Sequence, residues 1–223
     1  MPAHQLDERA WTSGESPDEW PRSRYSGVAL YPDQMAVTLI VSWAELFGHS
    51  YIAFEWFADE VPGPRTSQRR HEVYHLRAEP TEAERARGIT TPSSPKLLSW
   101  RTRPASVVVE CDPGFFPLKD RTGRDLPAYY RAWQVPFAEG WRAREAAAIA
   151  AASSPRYNYL ELGGGKNCAR WVVEMAAIAG IDARHWLSSV LAVPKWLVRP
   201  REPIEDEGRM WQRRQARRTN HCT

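Results

Sequence analysis

The run Ala36-Val-Thr-Leu-Ile-Val-Ser-Trp43 carries no charge and is rich in β-branched side chains. Such a run reads as a strand buried on both faces, inside a sheet that is covered on each side. A second strand follows at Gly48-His-Ser-Tyr-Ile-Ala-Phe-Glu-Trp-Phe57. The period of two puts His49, Tyr51, Ala53 and Glu55 on one face and Ser50, Ile52, Phe54 and Trp56 on the other. Asp59 to Arg70 is a polar loop, and Glu72-Val-Tyr-His-Leu-Arg77 a third strand, so the second and third strands form an antiparallel hairpin. Ser106-Val-Val-Val-Glu-Cys111 is a further strand, with Cys111 packed inside it.

Helical signals come mostly later. A short helix is expected from Thr81, where Thr81 and Glu84 have capping-box spacing and Gly88 supplies a stop. Pro127 to Trp133 and the alanine-rich Ala138 to Ser153 read as helical. Strands followed by helices argue for an α+β domain rather than a doubly wound sheet.

The chain has 223 residues, enough for one domain with a full core plus tails. Residues 1–27, rich in Ser, Pro and charge, read as a poorly ordered arm, 28–199 as the folded domain, and 200–223 as a basic tail. The net charge of +3 is concentrated in that tail, whose arginines read as a solvated end, and no nucleic-acid partner is expected. Eleven tryptophans imply an aromatic core or cleft. Three cysteines make a disulfide scaffold an unsuitable reading and point to a reducing compartment. The N-terminal residues show no apolar signal region, and no run is long enough to span a membrane. Cytoplasmic synthesis is the expectation, with signal-independent export left open.

The chemistry centres on Tyr157-Asn-Tyr-Leu-Glu-Leu-Gly-Gly-Gly-Lys-Asn-Cys168, a polar, glycine-rich approach to an apolar helix that Gly180 would end. A thiol at a helix N-terminus meets the positive end of the macrodipole, and Lys166 and Arg170 add charge nearby. The expectation is therefore a thiolate at Cys168. Cysteine catalysis also needs an imidazole and a polar group to orient it. His49, opening the second strand, supplies the first and His75, on the third, the second. Glu72 is a weaker orienting candidate, as is Glu55, which a regular strand places about 20 Å from His49. Gly163 to Gly165 give the backbone freedom to turn onto Cys168 and N–H groups near an oxyanion. With Asn167 and Tyr157, Gly165 forms the set of substrate and oxyanion candidates. Cys222 reads as an inert, exposed thiol.

A Gly-His opening one strand, a Tyr-His-Leu on the next and an Asn-Cys at the start of a later helix resemble the circularly permuted NlpC/P60 papain-like proteins, including the lecithin:retinol acyltransferase-like group. The resemblance covers about residues 36 to 180, by short motifs. It implies an α+β fold with an antiparallel sheet packed against helices and the nucleophile at a helix N-terminus. It also implies Cys168 as nucleophile, His49 as base, His75 as orienting residue, and a lead-in similar to Tyr157 and Asn167 here. The long Asp59–Arg70 loop departs from the family's tight hairpin. The activity implied is cysteine-dependent cleavage of an amide or peptide-type bond through an acyl-enzyme, without a cofactor. The implied substrate is a peptide, lipid or other acyl-bearing molecule, and the setting a bacterial effector with a protein partner or inhibitor. Acyl transfer, thioester or lipid hydrolysis, and a non-catalytic binding module are alternatives on the same fold.

A competing motif uses one of the same residues. His71-Glu-Val-Tyr-His75 matches His-Glu-x-x-His, in which two histidines one helical turn apart bind zinc and the glutamate acts as base. Val73, Tyr74 and Leu76 suit a strand, however, and there His71 and His75 would stand about 13 Å apart.

Overall fold

The computed structural model describes residues 20–42, 49–60, 63–89, 102–112, 115–116, 118–119, 123–126, 128–161 and 164–183. It is an α+β protein with a six-stranded antiparallel sheet and few helices. In chain order the elements are β1 (Gln34–Ser42), β2 (His49–Phe57), β3 (Arg69–Ala78), α1 (Glu82–Arg85), β4 (Arg103–Glu110), β5 (Ala128–Pro136), α2 (Phe137–Ala151), β6 (Arg156–Tyr157) and α3 (Cys168–Ile178). The strand order is β5-β1-β2-β3-β4-β6.

β1 is central, and the burial expected of it on both faces is present. Met35, Val37, Leu39 and Val41 face one core, which also holds Ala143 and Ala147 of α2 and Trp171, Val172, Met175 and Ala176 of α3. Ile40 faces a second core with Tyr51, Ala53, Val73, Tyr130, Tyr25 and Phe116. Helices cover one side of the sheet. The other side is covered by aromatic side chains from the segments around Tyr25 and Phe116.

Of the segment expected to be helical from Pro127 to Trp133, Pro127 lies outside the described residues and Ala128 onward is instead strand β5, paired with β1 from Ser42↔Ala128 to Gln34↔Pro136. Its alanine favours helix, but the tyrosines suit a pleated surface, and Ala128 and Tyr130 bury alternately against the second core. Cys111 follows the end of β4 and is exposed, not packed within the strand. The arm expected through residue 27 contributes its last residues to the fold, where Ser23 and Tyr25 are buried. The Ser23 hydroxyl and the Arg24 N–H both donate to the buried Glu55 carboxylate. Residues 1–19 of that arm, Gly48, Gly163 and the basic tail lie outside the described residues.

Local signals held in detail elsewhere. Thr81 and Glu84 form the capping box of α1. Helix α2 matches the alanine-rich segment, and Gly180, with φ +76°, ends α3 as the Ile181 N–H returns to Ala176 O. Among the described residues no helix is long and apolar enough to cross a membrane.

Candidate active site

Cys168 is the first residue of α3, and its orientation is set by the segment before it. Asn167 caps the helix: its side-chain oxygen accepts the Arg170 N–H at 2.7 Å. Its amide donates to Tyr159 O at 3.1 Å and to Glu161 Oε1 at 3.0 Å. Both ends of the Asn167 side chain are thus engaged in holding the turn. The lead-in is also stitched to β6, with Lys166 N–H donating to Arg156 O and Asn158 N–H to Lys166 O, each at 3.1 Å. Gly165 is needed where these strands touch, because a Cβ there would lie 2.7 Å from Asn158 Cβ and 2.9 Å from its backbone nitrogen. The glycine expected to serve an oxyanion is therefore required for close packing of the backbone.

The two histidines meet. His49 Nε2 and His75 Nδ1 lie 2.9 Å apart, with the rings nearly perpendicular at 89°. Tyr51 packs against both, its ring 4.7 Å from each imidazole. Phe115 lies beyond His75 at 6.4 Å. The hydrogen bond occupies Nε2 of His49 and leaves Nδ1 as the nitrogen open to a further partner. On the other ring, His75 Nε2 is buried without a hydrogen-bond partner.

The Ser50 hydroxyl is buried without a hydrogen-bond partner, and the N–H groups of Ser50, Ala169 and Cys168 itself favour a charge on the sulfur. Tyr51, Tyr157 and Tyr159 are close enough for a charge on the sulfur to oppose their own ionisation. Tyr51 is therefore the shared neighbour of Cys168, His49 and His75. Ordinary strand alternation puts Ser50 on the helix side of the sheet and His49 and Tyr51 on the other. The β2–β3 register ends at Ile52↔Tyr74, short of both Ser50 and His75.

The electrostatics reverse the thiolate expectation. Burial raises the Cys168 pKa, opposed by the N–H groups and hydroxyl around the sulfur. Burial lowers His49 to about 4, with Arg77 adding to the effect. His75 falls to about 3, through burial first and then His49 and Arg77. Lys166 and Arg170, expected to favour the anion, both pair with Glu174 instead. At neutral pH the thiol and both imidazoles are therefore uncharged.

The His71-Glu72-x-x-His75 motif is dismantled by the strand it occupies. His71 and His75 point to one face of β3 and Glu72 to the other, where Arg144 holds it at 2.8 and 2.6 Å. His71 lies 3.3 Å from Asp112 O. Among the described residues, no group of three His, Cys, Asp or Glu side chains could hold a metal ion.

Sequence reasoning named Cys168, His49 and His75, but not Tyr51, which packs on both imidazoles. Tyr51 carried a usable signal, since it shares a strand face with His49. Comparison with known proteins finds no matching family model, no matching curated protein and no matching solved structure.

Proposed function

We propose that this chain is a cysteine-dependent hydrolase on a permuted papain-like domain, cleaving an amide or peptide-type bond through an acyl-enzyme. The observation that supports this reading is the 2.9 Å contact between His49 Nε2 and His75 Nδ1, beside Tyr51, whose ring packs on both imidazoles and whose ionisation a charge on Cys168 opposes. An imidazole held by a second imidazole is what a base needs to keep one tautomer and one orientation.

In this mechanism His49 donates from Nε2 to His75 Nδ1, which leaves its Nδ1 bare. That nitrogen takes the thiol proton as sulfur attacks the substrate carbonyl. The oxyanion that forms accepts the backbone N–H of Cys168 at the helix N-terminus. Collapse of the tetrahedral species breaks the carbonyl–nitrogen bond, and the amine leaves with the proton from His49. Water then attacks the thioester with its proton going to His49, and the proton returns to sulfur as the acid is released. Because the resting pair is neutral, proton transfer accompanies attack instead of preceding it.

Mass spectrometry of the intact protein after exposure to peptide, lipid-ester and thioester substrates tests the reading. One class should leave an acyl group on Cys168 that is absent in Cys168→Ala. A folded protein that forms no adduct with any class at neutral or alkaline pH would overturn hydrolysis and indicate a binding module on the same fold. Transfer of the acyl group to an added amine or alcohol, faster than to water, would make the enzyme an acyltransferase.

A further inference from the structure

We infer that Glu161 positions the nucleophile: its carboxylate fixes the side-chain amide of Asn167, the capping residue from which Cys168 starts α3. This rests on Cys168 being the nucleophile of the proposed reaction.

The backbone supplies the first observation. Among the described residues, Glu161 is the one non-glycine with a positive φ, +59°, and every other such position is a glycine. A residue with a Cβ is disfavoured in that left-handed region, because the Cβ crowds its own backbone. The turn that imposes it is held by Asn158, which is buried. The Asn158 side-chain oxygen accepts the Leu160 N–H at 2.8 Å, and its carbonyl accepts the Glu161 N–H at 3.2 Å. Glycine would suit this backbone better. What glutamate has and glycine lacks is an acceptor, and Glu161 Oε1 receives the Asn167 amide at 3.0 Å.

The state of Asn167 is the second observation. Its Oδ1 accepts the Arg170 N–H at 2.7 Å, and its Nδ2 donates to Tyr159 O at 3.1 Å as well as to Glu161. With an acceptor for each amide hydrogen, the reversed amide is excluded. It would set an oxygen against two oxygens and an NH2 group against the Arg170 N–H. The cap in turn fixes the first turn of α3, where the N–H groups of Cys168 and Ala169 favour a charge on the sulfur. Little stability is at stake. Glu161 is exposed, and its left-handed backbone costs about what an exposed hydrogen bond returns. A strained contact that adds little to stability, yet fixes the residue before the thiol, is a positioning contact.

The test is the pH profile of Cys168 alkylation by iodoacetamide, with Cys111→Ser and Cys222→Ser removing the other thiols. In this reaction the sulfur–carbon bond forms, iodide leaves and the thiol proton passes to the medium, so no substrate need be known. The alkaline plateau of the profile reports access to the sulfur, and its midpoint reports the hold on the anion. Glu161→Gly should raise the midpoint and slow alkylation at neutral pH roughly threefold, as loss of one exposed hydrogen bond requires. Its plateau and its denaturation midpoint should stay close to the parent's. Glu161→Gln, which keeps the acceptor oxygen and loses the charge, should keep the parent profile. The positioning role is wrong if the Glu161→Gly profile overlies the parent or if Glu161→Gln shifts it equally. It is also wrong if the plateau moves and the midpoint does not. If Glu161→Gly does not fold, Glu161→Asn decides, since Asn tolerates left-handed backbone but is one methylene shorter than Glu. The same shift then supports the role, and the parent profile refutes it. The absence of any acyl adduct would remove the hydrolase reading without touching this measurement.

Discussion

Strand β3 carries two polar clusters that are built in opposite ways. On the helix side, Glu72 receives two hydrogen bonds from Arg144 and one from the Tyr74 hydroxyl at 2.5 Å. Three donors meet one carboxylate, and its pKa falls because the Arg144 and Tyr74 hydrogen bonds outweigh burial. Three residues along, on the opposite face, His75 has one partner, His49, and one buried nitrogen with none. There burial wins and the imidazoles stay neutral. The first cluster is a completed ion pair that ties α2 to the sheet. The second is incomplete as it stands, and an incomplete buried polar group is a common mark of a functional site.

The contrast breaks most severely at the second cluster. Cys168→Ala should abolish turnover, and His49→Ala should cost about a thousandfold or more in kcat/KM, while Arg144→Met should leave kcat/KM nearly unchanged. Steady-state kinetics on the folded variants check this, and a large loss in Arg144→Met would mean that the two clusters are one site. Within the histidine pair the losses should not multiply. His49→Ala with His75→Ala should be little worse than His49→Ala alone, and His75→Asn, which can still hydrogen bond, should retain measurable turnover. Multiplying losses would show that the imidazoles act apart.

The first cluster should answer in stability. Arg144→Met leaves Glu72 half-buried with Tyr74 as its remaining donor, and should lower unfolding free energy by about 1–3 kcal/mol, less than a fully buried pair would lose. A shift in denaturant midpoint at constant slope would show it, and the pH profile of Cys168 alkylation should not move.

The smallest effect is in pH. His49 and His75 bind protons less readily folded than unfolded, so the unfolded chain takes up more protons in mild acid. Stability is then fully present above about pH 6.5, the ordinary imidazole value, and declines as pH falls towards the folded value of about 4. Denaturation midpoints compared at pH 7 and pH 5 should show the decline, and it should be smaller in His49→Ala with His75→Ala, where His71, also lowered by burial, remains. By the same logic the acid limb of kcat/KM should lie near pH 4. A limb near pH 6.5 would mean that the site opens to solvent before it reacts.

Much of the scaffold was legible from residues close in sequence. The charge-free run of β1, the alternation of β2, the capping box at Thr81, and the Gly180 end of α3 are all encoded within a few neighbours. These signals depend on backbone sterics, local hydrogen bonds and side-chain period, so they survive without knowledge of the fold. The same local chemistry placed Cys168 at a helix start and His49 at a strand start. Period two also put His71 and His75 too far apart along the strand to share one ion.

Tertiary structure decided the rest, and it did so through pairing and burial. β5 is a strand because nine residues of β1 lie beside it, which outweighs the helical preference of its alanines. The β2–β3 ladder ends at Ile52↔Tyr74, a fact held by no local pattern. Most consequential is the charge of the site. A helix terminus and two nearby cations suggest a thiolate, but Glu174 binds both cations and the surrounding fold removes the water that an anion needs. Ionisation depends on solvent access and on every neighbouring charge. Glu174 is a local neighbour, four residues on from Arg170, but the burial is supplied by residues distant in sequence, so a chain read in order can name the thiol and the imidazoles without revealing which of them holds a proton.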